Sequence, residues 1–99
     1  MLVQLKITQD VIDKDCHSAD RCAVAESINA ILTYPYFVYT CHGSSLICSR
    51  LFYTDVKLNH SPDLRSWIKN YDDSKYHNNQ YPVKPAEFII DIPYKYLQQ

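Results

Sequence analysis

The sequence predicts one α+β domain, a small and mainly antiparallel sheet with helices packed on one face. Three observations point there. Residues 3–7 and 87–92 alternate apolar and polar side chains with the period of two that a half-buried strand requires. Between them, residues 19–32 and 62–72 repeat apolar side chains at three- and four-residue steps, as amphipathic helices do. Finally, 99 residues is the length of a single domain. The resulting order is strand, two helices, two or three strands, helix, strand, and helices gathered on one side of such a sheet make an α+β sandwich.

Each element has its local reasons. In the first strand Val3, Leu5 and Ile7 face one way, Gln4 and Lys6 the other. Thr8 caps a short helix that stops near Asp15, with Asp10 at the positive end of its dipole. Ser18 or Asp20 caps the next helix, whose stripe is Cys22, Ala25, Ile28, Ile31 and Leu32, and Pro35 ends it. Residues 36–41 are aromatic and β-branched, hence a strand. Residues 42–45 are the only glycine-bearing turn, residues 46–53 return as the antiparallel partner, and 55–58 extend the sheet or lead out of it. Ser61 as N-cap, Pro62 at the first helical position and Asp63 beside it start the third helix. Its face of Leu64, Trp67, Ile68 and Tyr71 places Trp67 in the core, and it ends near Asp72. Residues 73–80 are polar and read as a loop. Pro82 and Pro85 lead into the last strand, Pro93 closes it, and 94–99 form a short tail.

Composition excludes several function classes. Gly43 is the one glycine, so neither a P-loop nor a dinucleotide fingerprint can be built, since both need several glycines for close backbone approach. The formal net charge is −1, with four basic and five acidic residues in the first fifty positions and six of each in the rest. A duplex-DNA binder shows a basic face and a DNA mimic is strongly acidic; this chain is neither. Nine tyrosines stand beside one Trp and three Phe, an excess that suits a binding surface. No signal peptide and no apolar run of about 20 residues is present, which predicts a protein of the cytoplasm with no membrane contact. Cys16, Cys22, Cys41 and Cys48 are then expected as reduced thiols.

The groups that could carry chemistry have simpler readings. Cys16-His17 with Cys22, and Cys41-His42 with Cys48, have gaps unlike those of zinc knuckles. Cys22 lies on a helix stripe and Cys48 beside Ile47, so core packing is the expectation; positions 41 and 48, symmetric about a turn centred between Ser44 and Ser45, allow a cross-strand contact. Cys41 and His42 cannot both face one substrate if both are strand residues, because neighbours on a strand point to opposite sides, and one glycine builds no nucleophile elbow. His60 reads as a solvated loop histidine beside the Ser61 cap. Asp10 and Asp13, and Asp72 with Asp73, are accounted for by helix ends. Lys75-Tyr76, Tyr81, Lys84 and Tyr94-Lys95-Tyr96 interleave base-stacking and basic residues, but Asp72, Asp73, Glu87 and Asp91 dilute the charge.

Two stretches resemble a known group. Ile7-Thr8-Gln9-Asp10-Val11-Ile12 followed by Cys22-Ala23-Val24-Ala25 is similar to the opening of small uncharacterised proteins encoded by tailed bacteriophages and their bacterial hosts, with their "ITQEHI" phrase and "C-P-I-A-x-A" helix start. Leu64-Arg65-Ser66-Trp67-Ile68, Tyr71-Asp72 and Val83-Lys84-Pro85-Ala86-Glu87-Phe88 resemble their closing pattern, an aromatic-Asp helix end before a "V-x-P-F-x-F" strand entry. The segments cover about half the chain. Ala23 stands where those proteins usually have proline, Lys14-Asp15 where a glycine is common, and the loop 73–81 is longer. The resemblance implies a compact α+β phage accessory protein and carries no catalytic residue.

The expectation is therefore a small, non-enzymatic, phage-type accessory protein without cofactor or metal that binds a host or phage protein. Inhibition of a host antiviral defence, in the manner of an anti-CRISPR, is its sharpest version. Exposed tyrosines at Tyr76, Tyr81, Tyr94 and Tyr96, with Arg50 or Arg65 as polar anchors, are the candidate contacts. Two alternatives stand beside it: a single-stranded nucleic-acid-binding module using Tyr94 and Tyr96, and a small zinc protein built on the Cys–His pairs.

Overall fold

The computed structural model describes residues 1–13, 22–41, 43–50, 53–76 and 84–98, and for 72–76 the backbone alone. In chain order the elements are β1 (Leu2–Ile7), α1 (Gln9–Asp13), α2 (Ala23–Asn29), β2 (Phe37–Cys41), β3 (Ser44–Arg50), β4 (Tyr53–Asn59), α3 (Pro62–Tyr76) and β5 (Ala86–Asp91), then a single 3₁₀ turn, Tyr94–Tyr96. The class and order are those the sequence predicts. The strands, however, form two antiparallel sheets, a β1–β5 ribbon and a β2–β3–β4 sheet.

In the ribbon Leu2 lies opposite Asp91 and Ile7 opposite Ala86. Period-two alternation turns Leu5, Ile7 and Ile90 into the core. Thr8 Oγ1 accepts from the Val11 N–H at 3.4 Å, the expected cap of α1. The cap of α2 is Cys22, whose Sγ accepts from the Ala25 N–H at 3.4 Å; the expected caps, residues 18 and 20, lie outside the described residues. α2 ends at Asn29, short of the expected residue 32, because the following backbone pairs with the tail. Gln98 N–H donates to Ile31 O, Thr33 N–H donates to Tyr96 O, and Leu32 bridges Leu97. Asn29 Oδ1 meanwhile accepts from the Val38 N–H at 2.9 Å, so the end of α2 occupies a donor of β2.

The β2–β3 connection is tighter than expected. Cys41 pairs with Ser44, leaving residues 42 and 43 as the loop, and Gly43 takes φ +79°, a left-handed conformation that glycine adopts without steric penalty. The turn thus lies two residues before its expected centre. Cys48 faces Phe37, not Cys41, so the cross-strand 41–48 contact that the spacing allowed is not formed: the two cysteines sit four register steps, about 13 Å, apart along the strand. β4 completes the sheet with an irregularity between Ile47 and Arg50. Ser61 caps α3 as expected, accepting from the Leu64 N–H at 3.2 Å, and the helix runs to Tyr76, through part of the expected loop.

One core joins both sheets to the helices. Ile28 of α2, Val38 and Ile47 of the three-stranded sheet, Leu64 of α3 and Leu5 and Ile7 of the ribbon are each at most 1% exposed. Each large aliphatic so buried contributes about 1.5–3 kcal/mol by leaving water. Trp67 is half-buried against this core, stacks on Tyr71 at 5.3 Å and donates from Nε1 to Lys84 O at 3.0 Å, which ties α3 to the approach to β5. Among the described residues no helix is long and apolar enough to cross a membrane.

Candidate interaction surfaces

The three-stranded sheet has two unlike faces. Val38, Ile47, Val56 and Leu58 join the core. The register places Phe37 and Tyr39 of β2, Leu46 and Cys48 of β3, and Lys57 of β4 on the opposite face. Phe37, Tyr39 and Leu46 are only partly buried and are not among the residues that pack against the core. The two rings meet edge to face at 5.4 Å. Cys48 is buried within this layer, and burial pushes its thiol pKa up. The result is a compact aromatic and aliphatic patch with the charge of Lys57 at its margin.

Arg50 and Tyr53 stand at the end of this sheet, where the guanidinium lies 4.2 Å from the ring centroid. Of the expected contact residues, Arg50, Arg65 and Tyr94 are exposed. Tyr96 is not: it is 3% exposed, meets Tyr36 edge to face at 4.7 Å, and has Lys95 over its ring at 4.9 Å. Its assignment as an exposed contact is corrected, because the 3₁₀ turn rolls it under while leaving Tyr94 outside. Tyr81 and the side chain of Tyr76 lie outside the described residues. The nucleic-acid alternative thus has Tyr94, not Tyr96, available for stacking. Tyr34, which sequence reasoning did not single out, is 95% exposed.

A polar chain crosses the inner face of the sheet. Thr40 Oγ1 lies 3.1 Å from Ser45 Oγ, which lies 2.7 Å from His60 Nε2. His60 is 3% exposed, so the expectation of a solvated histidine is corrected; Nδ1 has no hydrogen-bond partner among the described residues. Burial first, and the Arg65 charge second, hold its pKa down at about 4. The Ser–His distance is that of a nucleophile and its base, yet Ser45 is fully buried and no described residue orients Nδ1. The chain is built to hold β2, β3 and the start of α3 together.

Among the described residues no three His, Cys, Asp or Glu side chains gather as a metal site. Cys16, His17 and His42 lie outside them. The spacing of Cys41 and Cys48 keeps those two from sharing an ion, whose bonds to sulfur are about 2.3 Å.

No protein-family model, curated protein or solved structure matches the chain. What the surfaces offer must be read from their own chemistry. Sequence reasoning missed the Phe37–Tyr39–Leu46 patch, although its signal is present: in residues 36–41 the apolar side chains fall on both parities, more than a strand covered on one face needs.

Proposed function

We propose that this chain is a small, non-enzymatic accessory protein of phage type that acts in the cytoplasm by binding a host or phage protein. The observation that carries the reading is the patch of Phe37, Tyr39 and Leu46 on the sheet face turned away from the core. Aromatic side chains surrounded by a polar margin are what protein interfaces bury at their centres. Mixed charge around it, with Lys57 and Asp55 both exposed on β4, favours a protein partner over a polyanion. The edge-to-face rings also present no flat shelf for a stacked base. The phage assignment is supported by the motifs at residues 7–12, 22–25 and 64–88, and anti-defence activity is its most specific form.

The test uses the full chain and a Phe37→Thr/Leu46→Thr variant, which keeps strand propensity while removing the apolar surface. The wild-type chain, immobilised, is expected to retain one host or phage protein in near-equal amount, and the variant to lose it at least tenfold with unchanged thermal unfolding. Equal recovery by both would move the interface elsewhere, and retention of nothing would count against protein binding. For the anti-defence form, expression is expected to raise plating of a targeted phage on a host with an active CRISPR system, and the variant to abolish that gain.

A further inference from the structure

A second surface lies on another side of the molecule, where three segments converge. The β2–β3 turn arrives with Gly43. The β4–α3 junction is tied to it by the His60 N–H, which donates to Gly43 O at 3.0 Å. The first turns of α3 supply Arg65, Ile68 and Lys69. Together they enclose an open cavity of about 350 Å³ lined by Gly43, Arg65, Ile68 and Lys69. That is the size of a pocket for a small molecule, about 300–1,000 Å³, and well above what a water needs.

We propose that this pocket binds an oxyanion, the carboxylate or phosphate group of a small molecule. Arg65 and Lys69 are four residues apart on one helix and so neighbours on its surface. Like charges at that spacing work against the helix, and an anion between them would reverse the sign of the interaction. Neither head group has a hydrogen-bond or ion-pair partner among the described residues. Arg65 lies beside the turn: a Cβ on Gly43 would be 3.9 Å from its Nε, ordinary van der Waals contact. The bare glycine backbone leaves room there for a ligand, and a guanidinium can grip two oxygens of a carboxylate or phosphate at once. Ile68 adds an apolar wall. Of the acids on the same helix, Asp63 is two residues before Arg65 and on another side, while Asp72 and Asp73 stand three and four residues beyond Lys69, so Arg65 is the cation with no acid at a neighbouring helical position.

The contrast with the larger cavity of about 640 Å³ at the ribbon end strengthens the assignment. There Lys6 lies directly opposite Glu87 in the register, so the positive charge already has an acid beside it. Among the described residues no acid lines the pocket of Gly43, Arg65 and Lys69.

Nuclear magnetic resonance on the full chain tests this, with inorganic phosphate in one titration and citrate in the other, at constant ionic strength. Saturable shifts at the Gly43 amide and residues 65–69 are expected, with a millimolar dissociation constant weakened at least tenfold in Arg65→Gln and in Lys69→Gln. Lys57→Gln should leave them unchanged. Saturation by phosphate alone identifies a phosphate ligand, by citrate alone a carboxylate, and by both an oxyanion pocket without preference. The His60 titration supplies an independent readout: neutralising Arg65 by a bound anion should move its midpoint upward. Shifts that never saturate and spread over Lys6, Lys57 and Lys95, or that survive Arg65→Gln, would overturn the proposal.

Discussion

His60 is the side chain whose ionisation matters most to the fold. Its folded pKa, about 4, lies below the ordinary 6.5. Above pH 6.5 the ring is neutral whether the chain is folded or not, and the shift has no effect on stability. As pH falls from 6.5 towards 4 the unfolded chain takes up the proton first, and the folded state loses stability throughout that window. The whole shift corresponds to about 3 kcal/mol, a large part of what a domain of this size possesses. Urea unfolding at pH 7 and pH 4 should show that loss, and His60→Leu should remove most of it; an unchanged slope would mean that another group controls acid sensitivity. The burial of His60 was legible in principle. Val56, Leu58 and His60 share one parity, and β4 simply continues that alternation past Asn59. The adjacent cap, Ser61, suggested solvent instead, because a helix start is ordinarily a surface feature.

At the level of elements, the tail beyond β5 is as much a part of the core as a helix. Tyr96 and Leu97 are buried, and the backbone there pairs with residues 31–33. Tyr96→Ala is expected to cost about 3 kcal/mol, the scale of other large-to-small changes in a core, while Tyr94→Ala should stay within about 0.5. Thermal or urea unfolding separates the two; equal, small effects would return Tyr96 to the surface. Capping and alternation made most elements readable beforehand: Thr8, Ser61 and the 87–92 pattern all did what their chemistry implies. The misplaced boundaries have a common cause, partners distant in sequence. Ile31 and Leu32 keep helical spacing yet leave α2 to meet the tail. The β2–β3 turn closed on Gly43 because a two-residue loop uses its positive φ, whereas symmetry of the flanking residues placed the centre later.

Over the whole molecule, the sequence showed which side chains alternate but not which strands meet. The antiparallel class was legible from patterning; the division into a ribbon and a separate three-stranded sheet was not, since no local feature ties β1 to β5 rather than to β2. The patch of Phe37, Tyr39 and Leu46 was signalled by apolar side chains on both parities of residues 36–41, but which parity faces outward is decided only when the sheet turns its other face to the helices. The thiols give a check at this scale. Cys41 and Cys48 are too far apart to chelate together, so native mass spectrometry of protein purified without chelators should show the bare chain or a whole multiple of it. One additional zinc per chain would reassign the cysteines.

The β1–β5 ribbon has a consequence for how the protein is made. Leu2 and Asp91, opposite one another in the ribbon, are 89 residues apart in the chain, so β1 leaves the ribosome long before β5. The β2–β3–β4 meander can close on a nascent chain through short loops, but β1 has no strand to join until β5 has been synthesised. Until then Leu5 and Ile7 remain in water or against chaperones. A ribosome stalled before residue 86 would hold a chain with its sheet formed and its core open, so completion of the fold also reports completion of translation through β5.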